Sequence, residues 1–242
     1  MRIVLKSLKT KLFKLLKKAR MIIIPKIVMK IPDHYFWEHL GGIRSAGSPW
    51  HQFFYDGYDD LLTNDFELNS DDLVLILGAY KGNSAKKWIE KYSAQLYLVE
   101  PVPEFIEELK KLFDKVNSVR IIPFAFSDRH EILRLSILDA RTSQFIKTDS
   151  MIEVQSLDIV SELNKFPKYP KVIECNIEGG EYKVLYRLIE SKTLDQIDHF
   201  LIQFHNYDIE SEVDRATIRL ELSKTHKLMY NYDWIWERWD KK

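Results

Sequence analysis

The chain lacks the features that mark secreted and membrane-spanning proteins. Its single cysteine, Cys175, excludes an intramolecular disulfide, and the apolar run around it predicts a small buried core residue in a reducing compartment. No segment approaches the roughly 18 consecutive apolar residues of a spanning helix. The amino terminus has no long uncharged stretch followed by a small-residue cleavage site. We therefore expect a cytoplasmic protein that is neither integral to a membrane nor exported by a signal peptide.

Motifs for several chemistries are missing as well. The histidines have no close metal-ligand spacing with the cysteine, and neither an HExxH motif nor a cysteine pair occurs, so we expect no metal site. The chain has no Walker phosphate-binding loop and no Gly-x-Ser-x-Gly turn. These absences disfavour zinc proteins, P-loop nucleotidases and serine hydrolases.

A net charge is also absent, since 36 basic residues balance 36 acidic ones, but the two signs are unevenly distributed. Residues 1–32 contain ten basic residues and no acidic residue, which leaves the remainder with a formal charge of −10. A negatively charged main body argues against a polyanion-binding surface, so nucleic acid is disfavoured as a partner.

The first 32 residues, here called the N-terminal arm, have the pattern of a basic amphipathic helix. Between Met1 and Arg20 apolar residues recur at helical spacing and lysines occupy much of the remainder, while Pro25 is expected to end or break the helix. Such a helix could lie on an anionic membrane surface, where each lysine contributes about 1 kcal/mol, and we favour this peripheral contact. Packing on the domain or a partner chain, and contact with RNA, are the alternatives.

Residues 33–242 are expected to form one α/β domain. The aromatic-rich segment 33–70 has no sustained period and is expected to cap the core. From Leu73 onward, short apolar runs alternate with helical segments, as in a mostly parallel sheet. The predicted strands are Leu73–Leu77, Leu96–Val99, Val119–Phe124, Ile132–Leu138 (an insertion), Lys171–Ile177 and Phe200–Phe204, and the predicted helices are Ser84–Tyr92, Pro103–Lys115, Tyr182–Ser191 and Ser211–Lys224.

The carboxyl terminus is rich in tryptophan. Trp234 and Trp236 alternate as residues on one face of a strand do, and Trp239 follows. We expect a strand here whose tryptophans belong to the core and cover the sheet edge, in preference to a platform for a sugar.

Two features at strand ends predict a nucleoside site. The first strand ends in LILGAYKGNS, where Gly78 and Gly82 form a turn before a helix and let the backbone approach a ligand. About twenty residues later, the second strand ends at Glu100, whose carboxylate could accept both ribose hydroxyls; the alternative is a solvated strand-end carboxylate. The same pair would serve a dinucleotide, so it does not identify a reaction.

Five later segments decide between these uses by their order and spacing: VRIIPFAFSD, TSQF, VQSLD, KVIECNIEGGEYKVL and DHFLIQFHN. Over about residues 71–206 the chain resembles the FkbM-type methyltransferases, most specifically in NIEGGE and in the pair Phe204 and His205. The resemblance implies a Rossmann-like class I methyltransferase fold, in which helices cover both faces of a mostly parallel seven-stranded sheet. It also implies S-adenosylmethionine as cofactor and a hydroxyl of a sugar, glycan or glycolipid precursor as acceptor.

The resemblance further implies roles for residues around the cofactor. The glycine turn would face the methionine moiety, the end of the second strand the ribose, and the loop Ala125–Asp128 the adenine. Ser143, in TSQF, would line the cofactor or acceptor pocket, although a serine in a polar loop needs no function. The complete set of expected cofactor-binding residues is Gly78, Ala79, Gly82, Glu100, Pro101, Ala125, Phe126, Ser127, Asp128, Ser143 and Asn176.

His205 and Glu178 are the predicted catalytic residues. They follow the fifth and fourth core strands and should converge on the crevice where ligands of open α/β sheets bind. We expect His205 to be the base that takes the acceptor proton, because an unperturbed imidazole is substantially neutral at pH 7. A histidine hydrogen-bonded to the backbone at a strand end is the alternative. For Glu181 we prefer a structural role, orienting a loop or capping the next helix.

Two departures from the family pattern leave other functions open. Ile76 and Asn176 stand where family members usually have aspartates, and neither can carry charge. A catalytically degenerate methyltransferase fold, kept as a binding or scaffolding module, is therefore the alternative function. A nicotinamide-dependent oxidoreductase is disfavoured by the glycine spacing and by the NIEGGE and Phe-His elements.

Overall fold

The computed structural model describes residues 49, 52–53, 56–57, 62–138, 141–143 and 151–242. The N-terminal arm, and with it the predicted amphipathic helix, lies outside the described residues. Of the described helices, none has the length and apolar character needed to cross a membrane.

The described residues alternate between strands and helices for most of their length. The strands are β1 (Leu73–Leu77), β2 (Gln95–Val99), β3 (Val119–Ile122), β4 (Ala125–Ser127), β5 (Glu131–Leu138), β6 (Arg141–Ser143), β7 (Met151–Asp158), β8 (Val172–Cys175), β9 (His199–Ile202), β10 (His226–Tyr232) and β11 (Trp236–Lys241). The α-helices are α1 (Asn83–Lys91), α2 (Pro103–Phe113), α3 (Ile159–Leu163), α4 (Glu181–Glu190) and α5 (Ile209–Thr225).

Seven strands form the central sheet in the order β10-β11-β9-β8-β1-β2-β3. All neighbouring strands pair in parallel except β11, which is antiparallel to both β9 and β10. This confirms the mostly parallel seven-stranded sheet. From β1 the chain proceeds outward through β2 and β3, and after an insertion it proceeds from β8 to β9 in the other direction, with β11 and then β10 beyond β9. The switch point therefore lies between β1 and β8. Ligands of open α/β sheets bind beside such a point, at the carboxyl ends of the strands, an edge called the carboxyl edge below.

Helices cover both faces of the central sheet, as predicted. Successive residues of β1 point to opposite faces. Leu75 and Leu77 pack in a core with α3, α4 and α5, whereas Val74 and Ile76 pack in a second core with α1 and α2. The same second core includes Phe53 and Phe66, in agreement with a capping role for the described part of segment 33–70.

A second, smaller sheet is inserted between β3 and β8, with the order β4-β7-β5-β6. The predicted insertion at Ile132–Leu138 corresponds to β5, which begins at Glu131. The predicted loop Ala125–Asp128 is wrong, because its first three residues form β4 and pair in parallel with β7. The small core between these strands includes Leu133, Leu135 and Val154.

The carboxyl terminus differs from its prediction in one respect. Trp236 and Trp239 are buried in β11, as expected of core residues. Trp234, however, lies in the turn between β10 and β11 with a φ of 60°, so it does not alternate with Trp236 on a strand face. This left-handed backbone reverses the chain and separates the predicted single strand into a hairpin. Because β11 is antiparallel to β9, the hairpin turn lies at the carboxyl edge.

Candidate functional site

The turn between β1 and α1 passes unusually close to the end of β8. Gly78 has a φ of 82°, and a Cβ added to it would lie 2.1 Å from the backbone oxygen of Asn176. Both facts require glycine, because the left-handed backbone disfavours a side chain and a main-chain atom cannot rotate away. The backbone N–H groups of Gly78 and Ala79 both donate to the Val99 carbonyl, which joins the turn to β2. The glycine turn therefore lies at the switch point.

Glu100 orders this turn from the end of β2. Its carboxylate accepts hydrogen bonds from the backbone N–H of Tyr80 at 2.9 Å and of Val102 at 3.0 Å. The residue is only 4% exposed, so the alternative of a solvated strand-end carboxylate is wrong. Burial raises the pKa of Glu100, although the two backbone hydrogen bonds oppose the shift. The side chain is thus a desolvated acceptor with capacity for further donors. Its contact with a ribose stays a prediction.

Tyr80 has a φ of 48°, which is uncommon for a residue with a large side chain. Its amide donates to Glu100, and its ring packs edge-on against Phe105 with centroids 4.5 Å apart. Positive φ angles therefore recur at Gly78, Tyr80 and Gly82 along one short turn. Backbone strain of the kind found at Tyr80 persists where surrounding contacts hold it and is concentrated at functional sites.

The residues expected to face an adenine occupy different environments. The ring of Phe126 is buried in the main core, and Ser127 is buried with its hydroxyl donating to Asp128 at 3.2 Å. Ala125 packs in the small core of the inserted sheet. The structure therefore brings these residues into a strand and not into a loop, and only Asp128 lies beyond it. Ser143 lies in β6, and its side chain is outside the described part of the structure.

Two asparagines at the carboxyl edge have buried side-chain atoms without hydrogen-bond partners. Among the described residues no donor reaches Oδ1 of Asn176, which follows β8, and no acceptor reaches Nδ2 of Asn206, which follows β9. Leaving such a group unpaired costs about 1–3 kcal/mol, which a ligand with a complementary group would recover. Sequence reasoning missed Asn206, although a polar residue directly after the Phe-His pair was the available signal.

His205 lies between two carboxylates. Its Nδ1 is 3.1 Å from Glu181 and its Nε2 is 3.4 Å from Glu178, and the ring is buried. Burial by itself would lower the pKa of His205, but the charges of Glu181 and Glu178, with hydrogen bonds to both, raise it well above its usual value. The ring is therefore not the unperturbed imidazole that was expected, because its two carboxylate neighbours favour the imidazolium form. Both ring nitrogens face carboxylates, whereas the alternative expected a backbone partner.

Glu181 is fully buried and holds the IEGGE turn against the end of β9. Besides the His205 ring, it accepts hydrogen bonds from the backbone N–H of Gly179 at 2.7 Å and from that of His205 at 2.8 Å. It is also the first residue of α4. These contacts agree with the structural role preferred for this residue.

Glu178 is the member of this cluster that solvent can reach. Its side chain is 17% exposed, against 1% for His205 and 0% for Glu181. It accepts a hydrogen bond from the hydroxyl of Tyr207 at 3.1 Å, and the Tyr207 ring stacks on His205 at an interplanar angle of 14°. The backbone of Glu178 is left-handed, with a φ of 50°. The structure thus brings both predicted catalytic residues together and adds Tyr207, which sequence reasoning did not single out.

The aspartate of the VQSLD segment has a structural function. Asp158 ends β7, and its side chain caps α3 by accepting from Ser161 N at 2.7 Å. It also pairs with Arg187 of α4. Burial raises its pKa, but the bonds from Arg187 and Ser161 outweigh that effect and the pKa is lowered. Asp158 therefore fastens the inserted sheet to α4.

Comparison with known proteins defines the fold. No family model and no curated protein matches the chain. Among solved structures it is similar to the FkbM methyltransferase of Methylobacillus flagellatus, with 13% identity, a TM-score of 0.51 and coverage of 74% of this chain. The match spans 46% of that methyltransferase, less than half of its length. The fold is that of the class I methyltransferases.

Two further similarities have lower TM-scores. An rRNA methylase from Streptococcus thermophilus has 11% identity and a TM-score of 0.45, with 83% of this chain and 99% of that chain covered. Fibrillarin from Aeropyrum pernix, in complex with S-adenosyl-L-methionine, has 11% identity and a TM-score of 0.42, with coverage of 76% and 73%.

Proposed function

We propose that the protein is an S-adenosylmethionine-dependent methyltransferase that transfers a methyl group to a hydroxyl of a sugar, glycan or glycolipid precursor. The observation that supports this proposal is the grouping of three features at the carboxyl edge of a sheet with the class I methyltransferase fold. There the glycine turn, the buried carboxylate of Glu100 and the catalytic cluster around Glu178 follow β1, β2 and β8.

The residues at this edge suit the cofactor. Gly78 lets the turn approach the end of β8 closely, Glu100 offers a desolvated carboxylate to a pair of hydroxyl donors, and Asn176 offers a buried amide oxygen that has no described donor. S-adenosylmethionine carries a ribose diol and an ammonium group, and both are donors. When bound, it supplies an electrophilic methyl group on a sulfonium.

The protein's own residues would then align the acceptor and receive its proton. Alignment of the two reactants can contribute about 7–11 kcal/mol, and a positioned base a further factor of about 10²–10⁴. We assign the base to Glu178, because its side chain, at 17% exposure, is the most accessible of the cluster and both ring nitrogens of His205 already face carboxylates. The acceptor O–H proton passes to the carboxylate of Glu178, while His205 and Tyr207 hold that carboxylate by donating to it.

The acceptor class rests on the FkbM resemblance of the sequence and on charge. With a formal charge of −10 outside the N-terminal arm, the body of the protein favours a neutral acceptor such as a sugar over a polyanion. A peripheral location on an anionic membrane, through residues 1–32, would bring the enzyme to glycolipid precursors.

The reaction is tested by offering the protein S-adenosylmethionine with a tritiated methyl group and a panel of sugars and lipid-linked sugars. We expect transfer to a hydroxyl of one class, and a loss of about 10²–10⁴-fold in kcat for Glu178→Gln, with little change in cofactor affinity. Glu190→Gln is the matched control, because Glu190 is an exposed carboxylate at the far end of α4. If Glu178→Gln retains wild-type kcat, Glu178 is not the base.

The same assay separates the catalytic proposal from its alternative. Cofactor binding without transfer to any acceptor favours a binding module with a methyltransferase fold. Transfer of the methyl group to amino groups of the panel compounds, in place of their hydroxyls, would overturn the proposed acceptor chemistry.

A further inference from the structure

A second buried carboxylate lies in the sheet on the other side of the switch point. Glu174 is in the middle of β8, is 4% exposed, and is paired across the sheet with Ile76 of β1. Its Oε2 accepts hydrogen bonds from the Ser84 hydroxyl at 2.8 Å and from the indole N–H of Trp88 at 2.7 Å. Burial raises its pKa, although both hydrogen bonds oppose that shift. Nothing in the reaction described above uses this group.

The two donors lie in the first turns of α1, the helix that follows the glycine turn directly. This helix begins after Gly82, and no side chain in the described part of the chain caps its first N–H groups. Its first turn contains no acidic residue. The position of the helix start is instead fixed from the sheet, by the link between Glu174 and the two side chains, of which Trp88 is fully buried.

Two carboxylates from different strands therefore hold the glycine turn and the helix that follows it. Glu100 of the β2 end accepts from the Tyr80 amide in the middle of the turn, and Glu174 of β8 holds the helix into which the turn leads. Only Gly82 and Asn83 separate Lys81, the residue after Tyr80, from Ser84. A change in the position of α1 would consequently displace the backbone of the turn.

Stability alone gives little reason for a carboxylate at this position. Removing a charged or polar group from water carries a desolvation cost, and replacing a buried polar network with apolar side chains of similar volume is often neutral or stabilising. In such an exchange, with Ser84 and Trp88 replaced as well, leucine would suit the neighbours of Glu174 in the second core, which include Ile76 and Leu201. What a leucine could not do is fix the direction of the Ser84 hydroxyl and the Trp88 indole.

We propose that Glu174 is a positioning residue for cofactor binding, which sets the start of α1 and thereby the shape of the glycine turn. This inference rests on the proposed function, because the turn has this role only if it holds S-adenosylmethionine. Glu174 itself lies in the sheet and is not assigned a contact with the cofactor.

The test compares the affinity for S-adenosylhomocysteine, by calorimetry, with thermal stability in three variants. Glu174→Leu removes both hydrogen bonds and is expected to weaken binding about tenfold. Glu174→Gln keeps an acceptor oxygen and is expected to restore affinity to within about threefold of wild type. Ile173→Ala is the matched control, because this neighbour faces the opposite core and its truncation lowers the melting temperature without touching α1.

Equal losses of affinity in Glu174→Leu and Ile173→Ala would overturn the inference, since a merely structural contribution predicts them. Unchanged affinity in Glu174→Leu would also overturn it. If Glu174→Leu does not fold, Ser84→Ala removes one donor from the other side, and unchanged affinity in that variant contradicts the proposal equally. Failure of the wild-type protein to bind refutes the proposed function, and the inference with it, whereas wild-type binding with insensitive variants refutes the inference alone.

Discussion

The replacement Gly78→Ala tests the close approach of the glycine turn to the end of β8. Its Cβ would lie 2.1 Å from the main-chain oxygen of Asn176, in a backbone with a φ of 82°. A left-handed alanine costs about 1–2 kcal/mol. Relieving the collision requires a shift of β1 against β8, and overpacking of this kind costs about 1–3 kcal/mol more. The free energy of unfolding should fall by roughly 2–5 kcal/mol, out of a total of about 5–15 kcal/mol for a typical domain.

Gly57→Ala provides the matched control. Gly57 has a φ of 84°, so an alanine there has the same backbone strain as an alanine at position 78, but no atom of the described residues lies within 4 Å of the added Cβ. We therefore expect only the strain of about 1–2 kcal/mol in this variant. Melting temperatures should fall by roughly 10 °C in Gly78→Ala and by about half as much or less in Gly57→Ala, as measured by circular dichroism. Equal losses in the two variants would refute the close approach between the glycine turn and β8.

Two further predictions concern the catalytic cluster and the arm. Because the folded pKa of His205 is raised well above its usual value, the stability that its charged ring contributes is fully present below about pH 6.5 and is lost as the pH rises through the folded pKa. Urea unfolding from pH 6 to 10 should show this loss of stability in the wild type and a smaller loss in His205→Gln. Identical pH profiles of the two proteins would contradict the prediction. Deletion of residues 1–32 should abolish sedimentation with anionic vesicles and leave binding of S-adenosylhomocysteine intact, whereas unchanged sedimentation would refute membrane contact through the arm.

The inner strands of the central sheet could be predicted because they are largely buried on both faces. All five residues of β1 are buried, so its sequence is a continuous apolar run, and β2 and β8 are mainly apolar apart from Gln95 and Glu174. The inserted sheet is different. In β7 exposed positions such as Met151 and Glu153 alternate with buried ones, and two of the buried ones are Ser156 and Asp158. Because polar residues occupy two of its buried positions, β7 lacks the alternation of apolar and polar residues that indicates a strand, and it was therefore not predicted.

The site could be predicted in position but not in electrostatics. Chain order places Glu100, Glu178 and His205 after three core strands, and the structure has them there. The pairing of His205 with Glu181 depends on how the IEGGE turn folds, and that turn has left-handed backbone at Glu178 as well as at Gly179. Sequence periodicity carries no information on such a turn, so the two carboxylates beside the His205 ring became apparent only from the folded structure. Oδ1 of Asn176 and Nδ2 of Asn206, which have no hydrogen-bond partner within the described part of the chain, likewise emerge only from three-dimensional packing.

The positive φ of Trp234 is a similar case. Tryptophan disfavours this conformation, and the alternation of Trp234 with Trp236 matches a strand as well as a hairpin. The buried guanidinium of Arg215, 4.3 Å from the ring centroid, stabilises the turn through a contact between α5 and the hairpin that only the folded chain contains.

The most direct measurement is a calorimetric titration of the protein with S-adenosylhomocysteine, made in parallel on the wild type, Glu100→Ala and Glu104→Ala. Glu104 is an exposed carboxylate four residues from Glu100, in the first turn of α2, and controls for the loss of charge. We predict that the wild type and Glu104→Ala bind alike, and that Glu100→Ala, folded by circular dichroism, loses binding. Absence of binding by the wild type, or wild-type affinity in Glu100→Ala, would contradict a cofactor site at the carboxyl edge.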